Sequence, residues 1–280
     1  MEYFGLTNVG KKRSENQDCF KIKILSDNCL LLAVFDGMGG ANGGSVASSM
    51  ASDVFVSTAS KEISPSDNDG DVISALHYAV GRANESVYRH SQQNEELSGM
   101  GTTVAAVVIR KDIKNTDPID FDVKTYDPKN EYPRQISDNN PSDIQTIGVF
   151  VVNVGDSRTY LSDETGLKRL SKDHSYVQYL IDRGELSPKK AESHPQRNII
   201  TKAIGTDSML IPDVEKHSFP ENGERYLLLC SDGLYTEVKE DDIQKILHSD
   251  VSVEDKAVKL VARANKKGGR DNITVIIVKL

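Results

Sequence analysis

Four aspartates stand at the ends of strongly apolar runs, an unusual position for a charged side chain. Asp36 follows "LLLAVF", Asp156 follows "VFVVNVG", Asp232 follows "YLLLCS", and Asp271 precedes "NITVIIV". A carboxylate beside a buried run costs free energy unless another group offsets its charge. If these runs are strands of one core, their ends bring the four carboxylates together, and like charges at short distance raise each other's pKa. The pattern therefore predicts a cation among them.

Divalent ions would relieve this repulsion, because Mg²⁺ and Mn²⁺ prefer oxygen ligands. The three cysteines, Cys19, Cys29 and Cys230, have no metal-ligand spacing, which argues against zinc. Glycines near the aspartates support the metal interpretation, because a missing side chain lets carbonyls and water approach an ion. Two divalent ions would lower the pKa of a shared water and would clamp the oxygens of a phosphoryl group.

Each of these polar residues also has an ordinary interpretation. An Asp-Gly pair is commonly a turn, and Asp156 could form a surface salt bridge with Arg158. Asp18 in "ENQD" could be a loop residue, and Arg13 could be a solvated surface side chain. The functional alternative for Arg13 is a bidentate contact with phosphate. Because the same placement of aspartate occurs four times in one chain, the pattern favours the metal interpretation.

The apolar runs predict the elements that must position these aspartates. Buried strands are predicted at 29–35, 103–109, 147–154, 226–230 and 272–278, with a shorter alternating piece at "CFKIKI". The 3,4 spacing of apolar residues predicts two helices, one through residues 73–87 and one between Ser252 and Gly268. Strands are grouped at both ends of the chain, so we predict an α+β layered fold rather than a Rossmann-type parallel sheet.

Composition narrows the class of protein. The chain has 280 residues, enough for one large domain, and no linker divides it. No apolar segment of membrane-spanning length and no secretory signal occurs, so we expect a soluble, cytoplasmic protein with buried free thiols. The 34 basic and 42 acidic residues give a net charge of −8, which disfavours binding to nucleic acid or to anionic membranes.

Residues 111–146 differ from the rest of the chain. The segment "KDIKNTDPIDFDVKTYDPKNEYPRQISDNNPSDIQT" is polar, rich in Asp, Asn and Pro, and too long for an ordinary hairpin loop. We interpret it as a surface insertion that does not contribute to the core.

Together the motifs resemble those of the metal-dependent protein phosphatases of class 2C, the PPM family, in its bacterial single-domain type. The matching motifs span nearly the whole chain in the family's order: "RSENQD", "VFDGMGG", "SGMGTT", "VVNVGDSRTYL", "LSKDHS", "NIITKAIG", "LLLCSDGL" and "GGRDNITVIIV". The resemblance implies a single catalytic domain over residues 1–280. It also implies a sandwich of two antiparallel β-sheets flanked by helix pairs, with a metal cleft at one end of the sheets and a flap at about 172–207.

The resemblance also implies roles for individual residues. Asp36 resembles the carboxylate that bridges two Mn²⁺ or Mg²⁺ ions, and the carbonyl of Gly37 resembles a ligand of the second ion. Asp232 and Asp271 resemble the other ligands of the first ion, and Asp156 with Asp232 resembles a weaker third-ion site.

The remaining implied roles concern substrate and water. Asp18 resembles a residue that orders water beside the ions, and Arg13 resembles the contact to substrate phosphate. The sequence departs from the family where many bacterial relatives have a histidine after "DGMGG", because Ala41 stands there. The usual candidate for protonating the leaving group is therefore missing. The insertion at 111–146 is a second departure, so its role cannot be taken from the family.

The first functional hypothesis is a phosphoserine and phosphothreonine protein phosphatase that reverses a cognate Ser/Thr kinase and acts as a monomer on phosphoproteins. The second is a catalytically weak regulatory or binding module that retains the fold, against which the intact Asp36, Asp232, Asp271 and Arg13 argue. A third, a two-metal nuclease, is disfavoured because the chain is acidic and lacks a basic stripe.

Overall fold

The computed structural model describes residues 1–111 and 146–280, without the side chains of residues 40–42. The strands are β1 (Glu2–Asn8), β2 (Asp18–Ser26), β3 (Cys29–Met38), β4 (Gly101–Thr102), β5 (Val104–Lys111), β6 (Thr146–Val154), β7 (Arg158–Asp163), β8 (Gly166–Arg169), β9 (Asp213–Pro220), β10 (Tyr226–Cys230) and β11 (Ile273–Lys279). The helices are α1 (Gly40–Glu62), α2 (Asp69–Gln93), α3 (Tyr176–Asp182), α4 (Pro188–Ala191), α5 (Asp232–Tyr235), α6 (Glu240–Leu247) and α7 (Val253–Lys267).

The strands form two antiparallel sheets. The first sheet has the order β1-β11-β10-β7-β8, and the second has the order β2-β3-β5-β6-β9, with β4 paired to β3. The α+β prediction is therefore confirmed, and the five predicted buried strands correspond to β3, β5, β6, β10 and β11. The order of the strands in each sheet differs from their order in the sequence. In the first sheet, β1 lies next to β11, so the two ends of the chain meet there.

Three layers of apolar side chains hold the sheets and helices together. The central layer lies between the two sheets and includes Leu32, Val107, Leu229 and Ile276. A second layer packs α1 and α2 on the second sheet, and a third packs α5, α6 and α7 on the first sheet. The protein is thus a four-layer sandwich, with helices outside both sheets.

Strand β3 shows why its sequence is an unbroken apolar run. Leu31 and Phe35 face the layer that contains α1 and α2, whereas Leu32 and Val34 face the other sheet. Alternate residues of a strand point to opposite faces, so a strand covered on both faces needs apolar residues at every position. The polar residue Asp36 therefore marks the place where this double cover ends.

The two predicted helices are confirmed. In α7, the Ser252 side chain accepts a hydrogen bond from the Asp255 amide at 3.0 Å, and the helix ends before Gly268. In α2, Leu76, Val80 and the other buried residues form one face against the core.

Helix α1 was not predicted from the sequence. Its first turns are rich in glycine and serine, which disfavour helix interiors. Ala47, Ala51, Phe55 and Ala59 recur at intervals of four and are buried against β3 and α2. Tertiary packing of this narrow stripe of mostly small residues stabilises the helix despite its low intrinsic propensity.

The predicted insertion at 111–146 lies outside the described residues except for its two ends. Lys111 is the last residue of β5 and is the register partner of Ile147 on β6. These two strands are antiparallel neighbours in the second sheet. The sheet therefore holds the two ends of the segment next to each other.

The sequence predicted buried free thiols at all three cysteines. Cys29 and Cys230 are buried free thiols, and burial raises the pKa of both. Cys19 is also free but only partly buried, so the prediction of burial is wrong for that residue.

None of the helices in the described ranges combines the length and apolar content that a bilayer crossing demands.

Replacing residues 112–145 with a short Gly/Ser linker should leave the sandwich folded, because the strand ends at Lys111 and Ile147 are already paired. We expect an unchanged far-UV circular dichroism spectrum and an unfolding midpoint close to that of the full chain. A shortened protein that unfolds without cooperativity would show instead that the segment is part of the structure.

Candidate metal centre

Asp18 and Asp36 lie directly opposite each other on neighbouring strands. The antiparallel register of β2 and β3 pairs Asp18 with Asp36. Side chains of directly opposed residues lie on the same face of a sheet and close together. Asp18 is therefore a buried strand residue, so its alternative interpretation as a loop residue is wrong.

Glycines let the end of β3 approach the first turns of α1. A Cβ atom on Gly37 would come within 2.1 Å of the Gly44 carbonyl oxygen and 2.6 Å of the Gln17 carbonyl oxygen. The Gly37 amide donates a hydrogen bond to the Gln17 carbonyl at 3.2 Å. Any side chain at position 37 would therefore push the helix or the residue 17 loop away from Asp36.

A similar close approach joins Asp232 and Asp271. Asp232 is the first residue of α5, directly after β10. A Cβ atom on Gly233 would lie 1.9 Å from the Asn272 carbonyl oxygen. The start of α5 thus packs directly on the backbone that follows Asp271, and this packing brings carboxylates from two neighbouring strand ends together.

Thr103 connects Asp36 to the turn that carries Asp156. The Asp36 amide donates to Thr103 Oγ1 at 3.0 Å, and the Thr103 amide donates to the Asp36 carbonyl at 2.9 Å. The Thr103 hydroxyl also shares a hydrogen bond of 2.7 Å with the Ser157 hydroxyl. Asp156 is 6% exposed, and Arg158 pairs with Asp173 rather than with Asp156. The surface salt bridge suggested for Asp156 is therefore wrong.

The carboxylates are electrostatically coupled. Burial raises the pKa of Asp36 well above its usual range, and Asp18, Asp232, Asp156 and Asp271 raise it further. Burial is also the main cause of the strongly raised pKa of Asp232, followed by repulsion from Asp156, Asp271 and Asp18. Burial raises the pKa of Asp156 to about 6. The structure therefore brings together the aspartates that the sequence singled out.

Asp18 is held by hydroxyl groups from the other sheet. Its Oδ2 atom accepts hydrogen bonds from Ser231 at 2.7 Å and from Thr274 at 2.6 Å. Its Oδ1 atom is buried and has no hydrogen-bond partner within the described ranges. Burial raises the pKa of Asp18 to about 6, although the two hydroxyls lower it. An unpartnered buried carboxylate oxygen is costly, so Oδ1 fits a position facing an ion or an ordered water.

Arg13 is the cation beside the cluster. Its Nη2 atom lies 2.7 Å from Asp271 Oδ2, and its side chain is 55% exposed. The hydrogen bond and charge of Asp271 raise the pKa of Arg13, and Asp232 and Asp36 add smaller contributions. Arg13 is thus neither free nor buried: it reaches the cluster from the solvent side.

Asn272 fixes the loop that carries Arg13. Its Oδ1 atom accepts a hydrogen bond from the Gln17 amide at 2.8 Å. Its Nδ2 group donates to the carbonyls of Val9 at 3.0 Å and Glu15 at 2.9 Å. Sequence reasoning missed Asn272, as it missed Thr103, although both lie inside the quoted motifs. Neutral polar residues do not stand out beside an apolar run as a charged residue does. Only the position of Asn272 directly after Asp271 could have indicated its role.

The carboxylates of the described residues do not surround one point. Within residues 1–111 and 146–280, no three His, Cys, Asp or Glu side chains stand where they could hold a metal ion together. Two of the carboxylate oxygens have partners within the protein: Asp271 Oδ2 accepts a hydrogen bond from Arg13, and Asp18 Oδ2 accepts hydrogen bonds from two hydroxyls. The side chain of Ala41 in the first turn of α1 lies outside the described part of the structure.

The chain is similar to known protein phosphatases. The family model of protein phosphatase 2C matches residues 9–115. The serine/threonine phosphatase Stp of Listeria welshimeri is 32% identical over 98% of this chain and 93% of its own length. The crystal structure of serine/threonine phosphatase Stp1 from Staphylococcus aureus has a TM-score of 0.81 at 30% identity and covers 100% of this chain and 94% of that chain.

A further solved structure contains metal. The catalytic domain of the serine threonine protein phosphatase PstP, in complex with two manganese ions, has a TM-score of 0.72 at 25% identity. The match covers 99% of this chain and 96% of that chain.

Asn272→Ala should loosen the Arg13 loop, because it removes three hydrogen bonds from a side chain that is 5% exposed. We expect the free energy of unfolding in urea to fall by about 2–3 kcal/mol, at roughly 1 kcal/mol per bond. Amides of residues 9–17 should exchange with deuterium faster. Asn222→Ala, at an exposed position, is the control, and equal effects of the two substitutions would contradict the role of Asn272.

Proposed function

Because the chain belongs to the protein phosphatase 2C family, we propose that Asp36, Asp232 and Asp271 hold two divalent metal ions, with the carbonyl of Gly37 as a further ligand. The chain is a metal-dependent serine/threonine protein phosphatase. What remains to be assigned is which residues perform the reaction and which ions they use.

The observation that carries the metal assignment is the mutual repulsion of the carboxylates. Four neighbouring aspartates raise the pKa of Asp36 beyond the effect of burial alone. The donors are oxygen atoms only, which suits Mn²⁺ or Mg²⁺. The unpartnered Oδ1 atom of Asp18 is a second observation that fits an ion or an ordered water nearby. The charge of Asp156 also raises the pKa of Asp232, so these two residues would hold a weaker third ion.

When bound, two such ions supply an activated water nucleophile near neutral pH and positive charge at the phosphoryl oxygens. The protein supplies the arrangement. Asp36 lies at the end of a strand buried on both faces, so its position is fixed by the core. Hydroxyl groups of Ser231 and Thr274 orient Asp18, whose remaining oxygen would order water beside the ions.

Arg13 is proposed to bind the phosphate of the substrate. Its guanidinium is more than half exposed and lies at the edge of the carboxylate cluster. A guanidinium can donate two parallel hydrogen bonds to phosphate oxygens. The pair with Asp271 holds Arg13 in place until the substrate arrives. Hydrolysis then forms a new P–O bond from water and breaks the bond to the serine or threonine oxygen, which takes up a proton.

We assign the substrates as phosphoserine and phosphothreonine proteins, and a cognate Ser/Thr kinase as the enzyme whose action is reversed. Residues 1–280 would form one catalytic domain that acts as a monomer. The retained Asp36, Asp232, Asp271 and Arg13 argue against a role limited to regulation or binding.

Residues 172–207 are proposed to form a flap over the cleft. At its start, Asn153 Nδ2 donates to the Lys172 carbonyl at 2.7 Å, and the Gly155 amide donates to His174 Nδ1 at 3.1 Å. At its end, the Ile204 amide donates to the Thr102 carbonyl at 2.8 Å. The segment is thus attached at both ends to residues beside Asp36 and Asp156, whereas its helix α3 contributes no buried residue. This combination suits a movable cover.

Asp232→Asn should nearly abolish turnover of p-nitrophenyl phosphate, because Asp232 is assigned to two ion positions and its charge offsets both. We expect Mn²⁺ affinity, measured by titration calorimetry, to fall at least about tenfold. Asp27→Asn, at an exposed position away from the cluster, is the matched control. A variant that keeps normal ion binding and activity would remove Asp232 from the site.

Arg13→Ala should lower kcat/KM on a phosphothreonine peptide by about 10²–10³-fold, the scale of losing one preorganised charge contact. Calorimetric Mn²⁺ affinity should not fall, because Arg13 contacts substrate and not metal. Arg13→Lys should recover only part of the loss, since an ammonium cannot make the bidentate contact. Unchanged kinetics with collapsed Mn²⁺ affinity would contradict the assignment.

A further inference from the structure

A groove with basic walls lies on the outer side of the helical layer that covers the first sheet. It runs between α6 and α7 and has a volume of about 400 Å³. Its charged lining residues are Lys245, Lys259, Arg263, Lys266 and Asp242, four basic side chains against one acidic side chain. This local excess of positive charge stands out in a chain whose net charge is −8. We name it the α6/α7 groove.

Three of the four cations are available for a ligand. Arg263 Nη2 pairs with Asp242 Oδ2 at 2.7 Å. Lys245, Lys259 and Lys266 are exposed and form no ion pair with the described residues. Asp242, the single acid that lines the groove, is hydrogen-bonded to Arg263, and the charge of Lys245 also lowers its pKa. The positive charges of the lining therefore exceed its negative charge.

Apolar side chains complete the lining of the α6/α7 groove. Ile246 of α6 and Ala262 of α7 line it, and Val258, one turn earlier on α7, is 47% exposed. The hydrocarbon stems of the lysines extend this surface. A ligand that fits the groove therefore carries negative charges on either side of a small apolar contact. An acidic peptide segment has this composition, whereas nucleic acid requires a longer basic stripe.

Helix α7, which forms one wall of the groove, ends at a turn that contacts the loop carrying Arg13. Helix α7 ends at Lys267, and the next turn is fixed by a hydrogen bond of 2.7 Å from the Lys11 amide to the Gly269 carbonyl. Lys11 belongs to the loop that carries Arg13, which contacts Asp271. Lys266 is thus the groove residue that stands closest in sequence to this contact between the end of α7 and the Arg13 loop.

We infer that the α6/α7 groove binds an acidic segment of the phosphoprotein substrate, separate from the phosphorylated residue. The inference rests on the proposed function, because it takes the ligand to be part of the substrate. Charge complementarity selects the segment: three free ammonium groups attract carboxylates, while the acidic remainder of the surface repels them. Docking beside the cleft raises the effective concentration of the phosphorylated residue at Arg13.

Direct binding is the first test. The probe is a short fluorescein-labelled peptide rich in Asp and Glu, with one Leu and no phosphate, followed by fluorescence anisotropy. The groove variant is Lys259→Glu with Lys266→Glu. Its matched control is Lys23→Glu with Lys61→Glu, two exposed lysines outside the groove that give the same change in net charge. Lys259→Gln with Lys266→Gln is a milder second groove variant, and thermal unfolding checks the fold of each protein.

We expect the wild-type chain and the control to bind the peptide, with affinity that falls as salt is added. The charge-reversal variant should bind about tenfold more weakly, the scale of losing exposed ion pairs and adding repulsion. The Gln variant should lie between the two. Undiminished binding by both groove variants, or an equal loss in the control, would overturn the inference. Binding of phosphatidylserine vesicles in place of the peptide would also overturn it.

Kinetics provide the second test. For a phosphothreonine peptide with an acidic extension, the groove variant should have a KM about tenfold higher than the control and an unchanged kcat, because only docking is lost. With Asn and Gln replacing the acidic residues, KM should be the same in both. Turnover of p-nitrophenyl phosphate should be unaffected. The anisotropy measurement does not depend on turnover, so the two proposals can fail separately. Absence of phosphatase activity in the wild-type chain would refute the proposed function. The peptide-binding result would still test the α6/α7 groove.

Discussion

The fold has to overcome the repulsion between carboxylates. Carboxylates from both sheets lie together at one end of the sandwich, and the apolar core holds them there. Asp18 and Asp36 belong to the second sheet, and Asp232 and Asp271 lie at strand ends of the first sheet. Asp156 lies in the turn from β6 of the second sheet to β7 of the first. Electrostatics opposes this arrangement, since Asp18, Asp156 and Asp271 raise the pKa of both Asp36 and Asp232. The apolar layer between the sheets supplies the free energy that keeps the anions close.

Neutral hydrogen-bonding groups orient the cluster without adding charge. Thr103 holds Asp36 and the Ser157 turn, and Asn272 holds the Arg13 loop. The hydroxyls of Ser231 and Thr274 join one sheet to a carboxylate of the other. A charged residue in any of these places would alter the charge balance on which the proposed ion binding rests. Threonine, asparagine and serine therefore suit these positions because they direct a neighbour while leaving the net charge of the cleft unchanged.

Much of this arrangement could be predicted from local sequence. The buried strands and the aspartates at their ends follow from apolar runs that stop at a charge, and α7 follows from its period and its capping residues. Helix α1 could not be predicted in this way, because its glycine-rich start opposes helix formation and only packing against β3 and α2 overcomes that. Thr103 and Asn272 were missed for another reason. Their hydrogen-bond partners are distant in sequence: Asn272 and Gln17, for example, are 255 positions apart. No local sequence pattern encodes such pairs.

The pairing of β1 with β11 has a consequence for how the protein is made. Thr274, which orients Asp18, follows it in the chain by 256 positions, and Asp271 and Asn272 precede β11 directly. A ribosome that has completed the helices α1 and α2 has therefore produced a chain with Asp36 but without the partners that define the cleft. The proposed catalytic pocket can assemble only after synthesis has passed residue 274, so we expect incomplete nascent chains to carry no phosphatase activity toward the proteins around them. Because these contacts are so distant in sequence, their formation is expected to be a slow step of folding.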